Sequence, residues 1–203
     1  MTHLRYAGAT ADLQRHALFE IARASTTLAR RLQQVRALDL PDWWIVSGAI
    51  YNQVWNHLTG RPDMYGVKDI DLFYFDPDTS YAAEDAVIKR VIQSIPGIPP
   101  VEVRNQARVH LWYADHFGTP CPAYENARQP IDNFACRTHC VGLKLDQDDQ
   151  LSLYAPYGLD DIFGFRITPN PRLNNRATHE AKAARQLALW PELTFIPWPE
   201  PNP

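Results

Sequence analysis

Asp69 and Asp71 interrupt a run of apolar residues, VKDIDLFYFD over 67–76, that otherwise reads as a buried strand. Alternate side chains of a strand share a face, so the two carboxylates project together, followed on that side by Phe73 and Phe75. Like charges that close repel. Burying them is costly unless each is neutralised by a proton, by an Arg or Lys, or by a divalent cation. Upstream, Ser47-Gly48 lies between an apolar run and a helical pattern. Such a turn presents N–H groups at the positive end of a helix dipole, and glycine lets an anion approach the backbone. From the residues alone, Ser47 reads nearly as well as the cap of an ordinary strand-to-helix turn.

The elements that must position these residues follow from periodicity. Residues 11–38 place Leu13, Ala17, Ile21, Leu28, Leu32 and Val35 at helical steps, which predicts one long amphipathic helix ended by Pro41. WWIVSG then reads as a short strand, and AIYNQVWNHLTG as a helix that buries Ile50, Val54 and Leu58 and stops at Gly60. Beyond the acidic strand, DPDTSYAAEDAVIKRVIQSIPG predicts a capped helix with Val87, Val91 and Ile95 as its stripe; Asp76 reads as a turn residue before Pro77. VEVRNQARVHLWY alternates strongly. As an unbroken strand it puts Glu102, Arg104, Gln106, Arg108 and His110 on one face. Residues 118–132, rich in Pro, Asn and Ala, read as a loop able to cover a cleft. THCVGLKLD and LSLYAP are two strands joined by QDDQ, 158–163 is a helical turn, 172–190 is a last helix, and FIPWPEPNP is an extended Pro-rich tail. The expected organisation is a single domain over 1–203, with a core of about 10–190 and the tail at 191–203.

Composition narrows the function classes. The chain has 203 residues, 45% hydrophobic and 21% charged, with a formal net charge of −3. That is enough for a sizeable core, and it lacks the basic surplus of a binder of long nucleic acid. No apolar run approaches the roughly 18 residues of a membrane span, and the first residues lack a signal-peptide core, so a cytoplasmic protein is expected. The three cysteines are expected as free thiols. Cys136, His139 and Cys140 are the only zinc-like grouping, and the second half of a structural site is missing.

Taken together, the strand, the Ser47-Gly48 turn, the helix and the Asp69-Ile70-Asp71 strand resemble nucleotidyltransferases of the polymerase-beta type. WWIVSGAIYNQVWNHLTGR, VKDIDLFYFD, VEVRNQARVHLWY and YAPYGLDDIFGFRITPNP, in this order over roughly 10–190, resemble more closely a bacterial nucleotidyltransferase-like family within that superfamily. The resemblance implies an α/β (α+β) fold, a mixed central sheet flanked by helices, with C-terminal strands and a helix. It also implies that Asp69, Asp71 and a third acid, Glu102, hold Mg²⁺ or Mn²⁺ and act in catalysis. Ser47 and Gly48 would bind the triphosphate of an NTP, with Arg104 and Arg108 as further anion-binding residues and Lys144 and Arg166 as weaker candidates. The implied reaction moves an NMP group to an unknown hydroxyl on a small molecule, a protein or an RNA end. Two departures stand beside it: the turn is Ser47-Gly48-Ala49 where the superfamily has Gly followed by Gly or Ser, and Glu102 replaces the usual Asp. A non-catalytic nucleotide or metal binder on the same scaffold, and an interaction component of toxin–antitoxin type, are the competing readings.

Overall fold

The structure is a computed structural model that describes residues 2–118 and 120–200. Two helices open the chain, α1 (Ala11–Ala24) and α2 (Thr26–Ala37). The expected single helix is broken at Ser25, whose backbone is extended at φ −72° and ψ 108°. The apolar stripe continues across the break, but Ser25 Oγ accepts from Leu28 N–H and donates to Asp63 Oδ1 at 2.6 Å, while Thr27 N–H donates to Asp63 Oδ2. A cap pinned by a distant carboxylate overrides periodicity here.

Strand β1 (Trp44–Val46) leads into α3 (Gly48–Thr59), which ends at Gly60 in the left-handed conformation that closes many helices. Then come β2 (Ile70–Tyr74), α4 (Tyr81–Ser94), capped by Ser80, and β3 (Val101–Asn105). β3 is shorter than its alternation predicts. Asn105 Oδ1 accepts from both Asp76 N–H and Ala107 N–H, and its Nδ2 donates to the Asp76 and Asp78 carbonyls. This side chain bends the backbone into a 3₁₀ turn over Gln106–Leu111, followed by α5 (Tyr113–Phe117). Two further 3₁₀ turns cross the loop region, and β4 (Gly142–Leu145) and β5 (Leu151–Tyr154) form the predicted hairpin. The chain ends with α6 (Asp160–Phe163), β6 (Arg166–Ile167), α7 (Arg176–Leu189) and β7 (Thr194–Phe195).

The five strands β3-β2-β1-β4-β5 make one mixed sheet, parallel between β2 and β3 and antiparallel elsewhere. Ile45, Ile70, Leu72, Tyr74, Val101, Val103, Leu143 and Leu145 join one core with residues of α1 to α4. Trp44, Val46, Phe73 and Phe75 belong to a second, smaller cluster with Ala127, Ile131, Phe134 and Cys140. Residues 120–140 thus cover part of the sheet's other face. Gly142 is required beneath this cover, because a Cβ there would meet Ile131 Cδ1 at 3.0 Å and Trp44 Cε3 at 3.3 Å. The tail is not simply extended. Thr194–Phe195 pairs in parallel with Arg166–Ile167, and the Ile196 carbonyl lies 3.0 Å from His179 Nε2. The last part of the predicted tail, 201–203, lies outside the described residues.

Candidate active site

Sheet register assembles the acids. Val46, the last residue of β1, pairs with Asp71 of β2, and Asp71 pairs with Glu102 of the parallel neighbour β3. The Ser47-Gly48 turn therefore leaves β1 beside Asp69 and Asp71, and Glu102 lies across from Asp71 on the cleft side. Leu72, next to Asp71, points the other way and is fully buried. The alternation within β2 is what puts a carboxylate and an apolar anchor on adjacent residues.

Ser47 does not cap α3 with its side chain. Its φ of 58° and ψ of −120° lie in a region a non-glycine residue adopts only under constraint, at a cost of order 1–3 kcal/mol. The constraint is visible: Ser47 N–H donates to the Val141 carbonyl at 2.8 Å, and its own carbonyl accepts from Ile50 and Tyr51 N–H. The hydroxyl meets the Tyr51 phenol, whose pKa is raised, chiefly by burial. A Cβ at Gly48 would find only ordinary contacts, with Tyr51 and Asn52, so internal packing does not account for glycine at this position.

Two cavities meet at Asp71 and Lys182. The smaller, about 240 Å³, is polar and is lined by Ser47, Gly48, Asn52, Lys68, Asp69 and Arg185 together with the shared pair. Asn52 is 1% exposed and its Oδ1 has no hydrogen-bond partner among the described residues. The larger, about 390 Å³, is bordered by Glu102 and Arg104 at the sheet and by Phe73, Trp112, Tyr113, Tyr124 and Phe134 around it. Tyr124 comes from the loop that the sequence marks as a cover, and Phe134 lies just beyond it.

Burial pushes the Asp71 carboxyl up to about 6, and the neighbouring Asp69 and Glu102 charges add to the rise against Lys182 and Arg104. A carboxylate so placed is incompletely compensated by protein. Its donor chemistry fits a hard divalent cation, which needs only one or two carboxylates when phosphate and water complete its shell. Among the described residues no three His, Cys, Asp or Glu side chains form a ready metal-holding group. The oxygen donors of Asp69 and Asp71 suit such a cation, and Glu102 borders the same cleft.

Other candidates are separated from this cleft. Arg108 lies in the 3₁₀ turn instead of an unbroken strand and pairs with the buried Glu84 of α4 at 3.3 Å. The expectation that it shares a face with Glu102 and Arg104 is corrected by the early end of β3. Arg166 is held by Asp160 and Asp161 at 2.7 and 2.9 Å. Lys144 lies on β4, two strands from β2. Asp76 is a turn residue, its Oδ1 accepting from Asp78 N–H. The residues of the zinc-like grouping have other partners: Cys136 Sγ lies 3.1 Å from His179 Nδ1, His139 Nε2 lies 3.0 Å from Gln186 Oε1, and Cys140 Sγ donates to the Cys136 carbonyl at 3.3 Å. Conversely, the sequence reading passed over Asn52, Lys182 and Arg185. Lys182 and Arg185 are three apart on α7 and so share a helix face, a signal too common on solvated helices to single them out.

Comparison with known proteins agrees with this architecture. No curated protein matches the chain. A solved NMR structure described as revealing a CCA-adding enzyme head domain matches with a TM-score of 0.71 and 28% identity, covering 89% of this chain and 95% of that one. The sequence profile of a family described as nucleotidyltransferase matches residues 33–195, which include the turn, the acidic strand and α7. The chain belongs to this nucleotidyltransferase family.

Proposed function

We propose that the protein is a metal-dependent nucleotidyltransferase that moves an NMP group from an NTP to a hydroxyl acceptor. The observation that supports this best is the pair of dissimilar cavities sharing Asp71 and Lys182, one polar and cationic, the other aromatic. Asp69 and Asp71 hold Mg²⁺ or Mn²⁺ in this reading, and the cation when bound compensates phosphate charge and makes the acceptor hydroxyl easier to ionise. The half-buried N-terminus of α3 at Gly48, with Lys68 and Arg185, receives the β- and γ-phosphates. Lys182 faces the α-phosphate from the junction of the cavities, and Glu102 accepts the proton of the attacking hydroxyl. Arg104 stands beside Glu102 on the same cleft edge, where it orients the acceptor. Most of the rate enhancement then comes from position and fixed charge.

The test is to incubate the purified protein with each α-³²P-labelled NTP and Mg²⁺ or Mn²⁺ in cell extract, with the Asp69→Ala/Asp71→Ala double variant as control. Label on a product only with intact acids supports the reading. Metal-dependent nucleotide binding without transfer would instead favour a binding protein on this scaffold.

A further inference from the structure

In-line displacement at phosphorus puts the attacking and leaving oxygens on opposite sides of the reacting centre. The identity of the acceptor rests on the transfer reading, which puts that centre at the junction by Asp71 and Lys182. The polar cavity, with the α3 N-terminus, Lys68 and Arg185, is the side where pyrophosphate is stabilised as it leaves. The acceptor hydroxyl must then arrive from the aromatic cavity.

That cavity describes its occupant. About 390 Å³ is at the small end of the range for small-molecule pockets, roughly 300–1,000 Å³. Phe73 and Phe134 pack 5.8 Å apart on one part of the wall, with Trp112, Tyr113 and Tyr124 on another. Asn133 Nδ2 donates to the Tyr124 hydroxyl at 3.2 Å, and Asn175 hydrogen-bonds the Tyr113 phenol, so both rings are held and amide groups are brought to the wall. The charged lining is balanced, Asp71 and Glu102 against Arg104 and Lys182, which offers little excess attraction to a polyanion. Flat aromatic faces favour a flat ring, amides favour ring heteroatoms, and the carboxylate end requires a hydroxyl.

We propose that the acceptor is a small nucleoside-class molecule, carrying a heteroaromatic ring and a hydroxyl in one compound, bound in the aromatic cavity. The acceptor oxygen forms the new bond to the α-phosphorus and its proton passes to the Glu102 carboxylate. The bond from the α-phosphorus to the bridging oxygen breaks, and pyrophosphate leaves with the electron pair.

The experiment uses calorimetry on protein saturated with Mg²⁺ and the α,β-methylene analogues of the four NTPs, which cannot release pyrophosphate. Adenosine, guanosine, cytidine, uridine and a single-stranded RNA trinucleotide are titrated in turn. The expected result is that at least one nucleoside binds the loaded protein. Phe134→Ala weakens it about tenfold, as loss of one stacking face predicts, and Thr178→Trp, which fills the cavity from α7, abolishes it. Both variants keep the affinity for the analogue within about twofold. Competition between nucleosides and the analogue would assign the cavity to the donor's own ring and overturn the proposal. So would binding of the trinucleotide alone, or of no nucleoside at all. Failure of the analogue itself to bind wild-type protein would remove the transfer reading, whereas analogue binding without nucleoside binding removes only the acceptor assignment.

Discussion

On one side of β2, Ile70, Leu72 and Tyr74 are at most 1% exposed and share a core with residues of six helices, while on the other Asp71 and Phe73 border an open cleft. β3 repeats the division, with Val101 and Val103 buried and Glu102 and Arg104 exposed. Both faces use the same backbone and the same hydrogen bonds. The packed face can therefore hold the strands in register while the open face carries groups that destabilise one another. Repelling carboxylates are tolerable where the scaffold beneath them owes nothing to their interaction.

The contrast between the faces is broken most severely from the packed side. Leu72→Ala is expected to lower stability by about 2–5 kcal/mol in denaturant titration, through a cavity between the sheet and the helices. Asp71→Asn, one residue away, should lower the transfer rate by about 10²–10³-fold, or roughly 2.7–4 kcal/mol of barrier, while stability at pH 7 is unchanged or higher. Equal destabilisation by the two variants would end the distinction between the faces. Lys182→Met is expected to weaken NTP binding about tenfold, close to 1.4 kcal/mol, with a melting temperature near that of wild type, because the side chain is exposed on α7.

Two smaller effects sharpen it. Burial, aided by the Lys182, His179 and Arg185 charges and opposed by the Gln186 hydrogen bond, holds His139 well below the usual histidine range. The unfolded chain takes up this proton below about pH 6.5 and the folded one does not, so stability is full above that pH and falls as pH drops through it. The slope from one such group is at most about 1.4 kcal/mol per pH unit. His57 and His179 shift the same way, so denaturant titration of His139→Gln between pH 7 and pH 5 should show a reduced slope, not a flat one. Last, Ser47→Gly should raise stability by about 1 kcal/mol in thermal melts by relieving the positive φ. A loss instead would show that the hydroxyl contact with Tyr51 outweighs the backbone strain.

The placement of the candidate site residues was legible in the sequence where it depends on short range. Asp69 and Asp71 share a face because they are two apart in extended chain entering β2, and Ser47-Gly48 opens α3 because an apolar run gives way there to a helical period. Arg108 was misplaced because alternation over 101–111 does not reveal that Asn105 will bend the chain. Lys182 and Arg185 were missed for a different reason. More than a hundred residues separate them from Asp71, and only the docking of α7 against α3, through Gln186 to Tyr51 and Trp190 to Asn56, carries them to the cleft. The tail's role as a strand partner of β6 was invisible on the same grounds.

By itself the sequence determined the strand–turn–helix order, the alternation that separates core from cleft on β2, and the pair of acids on the cleft side, because each is set by periodicities of two or 3.6 residues along one segment. Tertiary structure alone decided that Glu102 lies opposite Asp71, that two cavities meet at Asp71 and Lys182, and that the 120–140 region supplies an aromatic wall. These depend on sheet register and helix docking, in which residues far apart in the chain meet only when the whole core closes.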